Sequence, residues 1–320
     1  MVANVKKKWR KKMHALAPYL FRCYNPNAPH EQRYSALSQI NNNDLLEILF
    51  NFTQLYENKF NISEVTKQVF RFNDITYDKE NREIFGWFES GYYGTKTDII
   101  NIDSGSVDFE KTKKNAEIIK YYIHFYIPKG VNEGMAFLHT YRGDGIKTLF
   151  INLFSEYFKK ITKLVIQMNP LAYDKAINKW LDAVAKEIKV TKFQGVTDLA
   201  EQAKMLGHNE QELTIKPPRN GALGKLRDFF SKQTEQAKLV EVLKGYGESV
   251  KTVVELSDGR KRTFHIGTSV KGAVCEIVFD ETQVVLNDGM PEINSLNLMV
   301  DSIILEYNVL LYPGIKLRRA

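Results

Sequence analysis

The chain has 320 residues, with 45 Lys and Arg against 38 Asp and Glu, and 43% of its residues are hydrophobic and 26% charged. That length leaves room for two domains or one large one with an ample core, and the composition excludes disorder as the default. Nothing approaches 18 consecutive apolar residues and no apolar h-region follows the charged N-terminus, so neither a membrane span nor a secretory signal is expected, and a cytoplasmic protein is.

The net charge of +7 is concentrated at one place. Residues 1–22 hold seven Lys or Arg and no acid, which leaves 38 basic and 38 acidic side chains in the other 298 residues. The run Lys6, Lys7, Lys8, Trp9, Arg10, Lys11, Lys12 suits a phosphate backbone, because each neutralised phosphate releases counterions and an aromatic ring can stack on a base. A solvated tail is the alternative reading.

MHALAPYLFRCYN then reads as a strand. DLLEILFNFTQLYEN is helical, with Asp44 suited to the first turn. QVFRFNDITYD, REIFGWFESGYY, TKTDIINID and EIIKYYIHFYI are rich in β-branched and aromatic residues and read as strands of a largely antiparallel sheet, with MAFLHTYR as a hairpin partner after VNEG. GIKTLFINLFSEYFKKI is a strongly amphipathic helix, with Ile146, Leu149, Phe150, Leu153, Phe154 and Phe158 at three- and four-residue spacing. TKLVIQMN follows as a strand. The pattern predicts a helix over AYDKAINKWLDAVAKEI with Ala176, Trp180, Leu181 and Val184 inward, a short strand VTKFQG, a weaker helix VTDLAEQAKMLG and a strand QELTIKPP.

Pro and Gly cluster in KPPRNGALG at 216–224, the best linker candidate. Beyond it KLRDFFSKQTEQAKLVEVL reads as one helix, ESVKTVVELSDGRKRTFHIG as a hairpin turning at Asp258–Gly259, and AVCEIVFD as a strand. PEINSLNLMVDSIILEYNVLLY reads as a long apolar helix starting with Pro291, fit for a core or a dimer interface. The expected class is α+β: a basic segment over 1–22, a largely antiparallel sheet domain over 23–215, and a smaller hairpin-plus-helix domain over 216–320.

HTYRGDG, between a strand and a helix, draws two readings. A strand ending at Arg142, a flexible Gly143 and Asp144 before a helix are the ingredients of an N-cap, and this reading accounts for Gly143, Asp144 and Gly145. A helix N-terminus also attracts phosphate, with His139, Arg142 and Lys147 nearby, but an Asp on those N–H groups competes with an anion. No Walker glycine spacing is present. A metal-independent ribonuclease would use His139 or His124 with Tyr141 and Arg142 as acid–base and phosphate groups. A metal-dependent nuclease finds only a chance-level match in Glu187-Ile188-Lys189 with Asp182 upstream. GxSxG and GxGxxG are absent.

Cys23 and Cys275 are far apart and read as small buried hydrophobes. The six histidines, His14, His30, His124, His139, His208 and His265, show no metal-ligand spacing, so no structural zinc and no cofactor is expected. A second basic group comprises Lys216 and Arg219 by the linker, Lys225 and Arg227 opening a helix, and Arg260, Lys261 and Arg262 on the hairpin, with Arg318–Arg319 at the C-terminus. These residues favour binding over catalysis.

The order of a sheet domain, then LVIQMNPLAYDKAINKWLDAVAKEIKV, a basic linker-helix region, a DGR hairpin and the final PEINSLNLMVDSIILEYNVLL helix resembles, in layout and over roughly residues 85–312, the Rex A exclusion protein of lambdoid prophages and the B component of the Kiwa antiphage system. The resemblance implies sequence-tolerant binding of duplex DNA, as a homodimer, within bacterial defence against phage or mobile DNA. KKKWRKK and the helix at 44–57 lie outside it. A protein-interaction subunit of a defence complex is the remaining alternative.

Overall fold

The computed structural model describes residues 14–171, 180–191, 193, 212–231, 233–247, 249–256, 259, 261–266, 275–279 and 283–315. The strands are β1 (His14–Tyr24), β2 (Tyr34–Ser35), β3 (Asn61–Ser63), β4 (Gln68–Asp78), β5 (Glu83–Tyr92), β6 (Thr97–Ile100), β7 (Val107–Lys111), β8 (Ile119–Tyr126), β9 (Gly134–Tyr141), β10 (Asp144–Gly145), β11 (Val165–Pro170), β12 (Val184–Thr191), β13 (Leu213–Ile215), β14 (Ser249–Glu255), β15 (Lys261–Ile266), β16 (Cys275–Val278), β17 (Leu286–Asn287) and β18 (Met290–Pro291). The α-helices are α1 (Leu45–Leu55), α2 (Lys147–Thr162), α3 (Glu235–Lys244) and α4 (Ile293–Leu311). The class is α+β, built on one large antiparallel sheet.

That sheet runs β13-β12-β14-β15-β16-β1-β9-β8-β5-β4-β3. Its centre is β1, whose sequence HALAPYLFRCY lacks the apolar–polar alternation of a half-solvated strand and whose residues are buried on both faces. One edge of β1 pairs with β9 from His14 to Phe21, while the other is shared by β16 at Ala15–Leu16 and β11 at Tyr19–Tyr24. Successive side chains of a strand point to opposite faces, so β1 feeds two cores. Leu16 and Leu20 join the core beneath α4, and Ala17, Tyr19, Phe21 and Cys23 join the one beneath α1 and α2.

The α2 side is aromatic. Phe150 stacks on Phe125 at 5.2 Å between ring centroids and meets Phe154 and Phe52 at 5.7 and 6.0 Å. The N-terminus of α1 is fixed by Asp44, which accepts from the Leu46 N–H at 2.9 Å and takes two bonds from Arg82 at 2.5 and 2.8 Å. Burial alone would raise the Asp44 carboxyl, but the Arg82 hydrogen bonds and the helix N–H hold it below the usual carboxylate range.

Several expected elements change. The boundary expected after residue 22 falls inside β1, and strands from both expected domains pair within the one sheet. The helix expected to reach Ile188 gives way to β12 from Val184, where pairing with β13 and β14 on both edges outweighs the helical spacing. Its residues 172–179, Ala176 among them, lie outside the described residues, as does the helix expected over 196–207. The single helix expected over 225–243 is a 3₁₀ turn at Leu226–Phe229 followed by α3, because the Thr234 side chain accepts from Ala237 N–H and starts a new helix. Pro291 lies in β18, and α4 begins after Glu292. Strand β7 was not foreseen: its sequence VDFEK alternates, but Asp108 and Glu110 are poor strand formers.

Phe150→Ala removes a fully buried ring shared by α1, α2 and the sheet, and is expected to cost about 3–5 kcal/mol, read as a lower urea midpoint by circular dichroism.

Candidate nucleic-acid interface

One end of the sheet gathers the cationic candidates. His14 opens β1 opposite Tyr141, the last residue of β9, so the basic run ending at Lys12 connects to the sheet beside the Arg142 turn. On the other side Ala15 pairs with Val278 of β16. Two residues on from the Thr263–Glu276 pair, Lys261 lies level with Val278, and Lys261 in turn pairs with Glu255. Glu255 faces Val184, the start of β12, which bridges to Lys225. The exit of the N-terminal run, Arg142, Lys261 and Lys225 therefore share one rim, with Lys261 about 10 Å from β1 at two strand spacings.

The predicted residues fare differently along that rim. Lys6, Lys7, Lys8, Trp9, Arg10, Lys11, Lys12 and Arg260 lie outside the described residues, as do Arg318 and Arg319. Lys261, Arg219, Lys225 and Arg227 are exposed. Asp182 sits between two of them, 3.2 Å from Lys225 Nζ and 2.6 Å from Arg227 Nη2, and so offsets part of their charge. Lys216 pairs with Glu187 at 3.1 Å. Arg262 is a correction: its side chain is buried and bonds Glu306 of α4 at 2.9 Å. Alternation along β15 sends Lys261 outward and Arg262 inward, so Arg262 ties sheet to helix and is not a contact for phosphate.

HTYRGDG is a turn, but not through an Asp N-cap. Arg142 and Gly143 both take positive φ, 54° and 91°, and Asp144 and Gly145 pair back onto Tyr141 and Thr140, which makes a two-residue hairpin of the twisted type that suits a sheet. The residue before α2 is Ile146, with no side-chain cap. Tyr141 is half-buried with Arg142 over its ring at 5.2 Å.

His139 is buried and occupied. His14 Nε2 lies 2.8 Å from the Gly289 carbonyl and donates to it, which leaves His14 Nδ1 to accept from His139 Nε2–H at 2.9 Å. Burial and the neighbouring His14 push His139 down to about 3. The ribonuclease reading thus loses its base, because this ring has no path to an RNA hydroxyl. His124 is equally enclosed: Nε2 bonds Glu83 at 3.0 Å, Nδ1 bonds the Tyr122 hydroxyl at 2.7 Å, and Asn297 of α4 holds the far side of that hydroxyl. Burial lowers His124 to about 3. Histidines 125 residues apart in the chain meet at His14 and His139, a pairing that no local spacing signals.

No family model matches the chain, and no curated protein does either. Its chemistry is therefore read from its own residues. Among the described residues no group of three His, Cys, Asp or Glu side chains could hold a metal ion. Glu187 and Lys189 both lie on β12, 3.4 Å apart, but Asp182 is turned to Lys225 and Arg227 and does not join them. Cys23 and Cys275 are buried, and burial lifts their thiols to about 11 and about 12. Among the described residues no helix is long and apolar enough to cross a membrane.

Two tests follow the buried groups. Removing the guanidinium in Arg262→Ala breaks its charge-assisted hydrogen bond to Glu306 and is expected to cost about 1.5–3 kcal/mol of stability by urea unfolding. His124 and His139 stay neutral in the fold down to about 3, whereas the unfolded chain protonates them near 6.5. Their contribution is fully present above 6.5 and is lost as pH falls through the window from 6.5 to 3, each by up to about 1.4 kcal/mol per pH unit. Urea midpoints should drop between pH 7 and 5, and His139→Gln should flatten that slope by about one proton.

Proposed function

We propose that the protein binds duplex DNA without sequence preference and without catalysis of its own, through the sheet end where the basic N-terminal run meets β1. The observation that carries this reading is the register, which brings the exit of Lys6–Lys12, the Arg142 turn and Lys261 onto one rim. From β9 to β15 that rim spans three strand spacings, about 14 Å, enough to meet several phosphates. Charged side chains contacting phosphates position a duplex but carry no base information, so the binding is sequence-tolerant. Trp9 adds a stacking surface for a base end or an unpaired base. Arg219, Lys225 and Arg227 extend the contact, weakened by Asp182. A role in bacterial defence against phage or mobile DNA, as a homodimer or beside a partner subunit, rests on the likeness in layout to the Rex A and Kiwa B proteins.

Fluorescence polarisation on a labelled duplex at several salt concentrations tests this. Affinity is expected to fall steeply with salt, and replacing the six cations between Lys6 and Lys12 by Gln should reduce the log–log slope by about 5, with Lys261→Ala and Arg142→Ala each removing about 1. An unchanged slope in the six-fold variant would take the run out of the interface. A flat salt response in the parent protein would refute the mechanism.

A further inference from the structure

We infer that the hairpin arm carrying β6 and β7 forms a second wall of the duplex site, where Lys113, Lys114 and Lys120 contact the phosphate backbone beside the rim. This rests on the duplex-binding reading and adds to it a surface remote in sequence from the basic run. β5 and β8 pair as far as Ser90 and Ile119, and the two chains stay together beyond that point. A side chain at Gly91 would collide with the Glu117 carbonyl, the Gly94 N–H donates to the Lys113 carbonyl at 3.0 Å, and Thr97 then faces Lys111. β6 and β7 are therefore the outer half of one long hairpin whose inner half, β5 and β8, lies in the large sheet. The Tyr93 N–H donates to the Lys67 carbonyl at 3.1 Å and holds the base of the arm against the strand edge before β4.

The arm leaves the sheet at the rim. Ile123 of β8 pairs with Leu138, so Lys120, three residues back, lies level with Tyr141, and Tyr141 faces His14 at the start of β1. Lys120 thus stands two strand spacings, about 10 Å, from the exit of the basic run, with the end of β9 between them. β8 lies on the β9 side of β5, so its continuation into β7 borders the ends of β9 and β1, and rim and arm meet as two sides of a corner.

Charge divides the arm along its length. Residues 97–110 hold four acids, Asp98, Asp103, Asp108 and Glu110, and no Lys or Arg, whereas residues 111–120 hold four lysines and one acid, Glu117. Lys113 and Lys114 are exposed and carry no ion pair among the described residues. Their turn is fixed by Asn115, whose side chain accepts from the Thr112 N–H at 2.9 Å and from its hydroxyl at 2.8 Å. Lys120 is exposed and lies 3.6 Å from Glu89, a carboxylate that also takes Arg71 at 2.7 Å, so one acid is shared between two cations. Cations at the base and acids towards the tip suit a polyanion seated in the corner, because phosphates are drawn to the base of the arm and repelled from its end.

Fluorescence polarisation of a labelled duplex against salt, with the full chain, compares two triple variants of equal charge. Lys113→Gln/Lys114→Gln/Lys120→Gln is expected to reduce the log–log slope by about 2.7, and the Lys113/Lys114 pair alone, which spares the contact with Glu89, by about 1.8. Lys159→Gln/Lys160→Gln/Lys163→Gln, at the C-terminal end of α2 by the far end of the sheet where Val165 faces Tyr24, should leave the slope unchanged. A photo-cross-linker on Lys114→Cys should trap the labelled duplex, and one on Asn27→Cys, beyond the far end of β1, should not, the native cysteines being buried. A steep parent slope that the arm variants leave unaltered, or that the arm and α2 variants reduce alike, overturns this inference and leaves the binding reading standing. A parent protein that does not bind the duplex, or binds it independently of salt, refutes both.

Discussion

The structure depends on β1 being enclosed on every side. Its edges are taken by β9 on one flank and by β16 and β11 on the other, and its two faces feed the cores under α4 and under α1 and α2. A strand in that position satisfies its backbone groups entirely by pairing and can be apolar at nearly every position. It also joins what precedes it to the middle of the sheet. Its first residue, His14, lies beside the Arg142 turn and two strands from Lys261, which is how residues remote in the chain come to share a rim.

Polar contacts do the complementary work of orienting the helices. Arg262 with Glu306, Tyr122 with Asn297 and Tyr126 with Asn308 link sheet to α4, and Asp44 with Arg82 links α1 to the loop before β5. Each is buried or half-buried, so loss of one partner costs more than the pair itself contributes. The paired histidines belong to the same class. His14 and His139 stack at 5.1 Å between ring centroids, and Phe279 stacks on both, sealing them from solvent. Residue types suited to acid–base chemistry serve here as neutral hydrogen-bonding groups that fasten β1, β9 and the β17–β18 hairpin together.

Much of the local structure was legible because its cause is local. Richness in β-branched and aromatic residues marked β4, β5 and β8, three- and four-residue spacing marked α2, and the Asp-Gly turn between β14 and β15 marked a hairpin. Where non-local pairing decides, the sequence misled. Val184–Ile188 has helical spacing but is drawn into the sheet from both edges, and Arg262 sits in a run of cations yet points inward because a strand alternates. The turn at Arg142–Gly143 was legible as a turn, while its hairpin geometry required knowing that Asp144 and Gly145 pair back onto β9.

The order of the residues accounts for the class, an α+β chain with an antiparallel sheet, and for the placing of its excess positive charge before the first strand, since propensity, periodicity and composition are properties of short segments. Strand order and register belong to the tertiary structure, because they depend on which distant segments bury each other's faces. Those two decide that Lys261 shares a rim with the start of β1, that His139 is closed to substrate, and that the β6–β7 ribbon pairs apart from the large sheet.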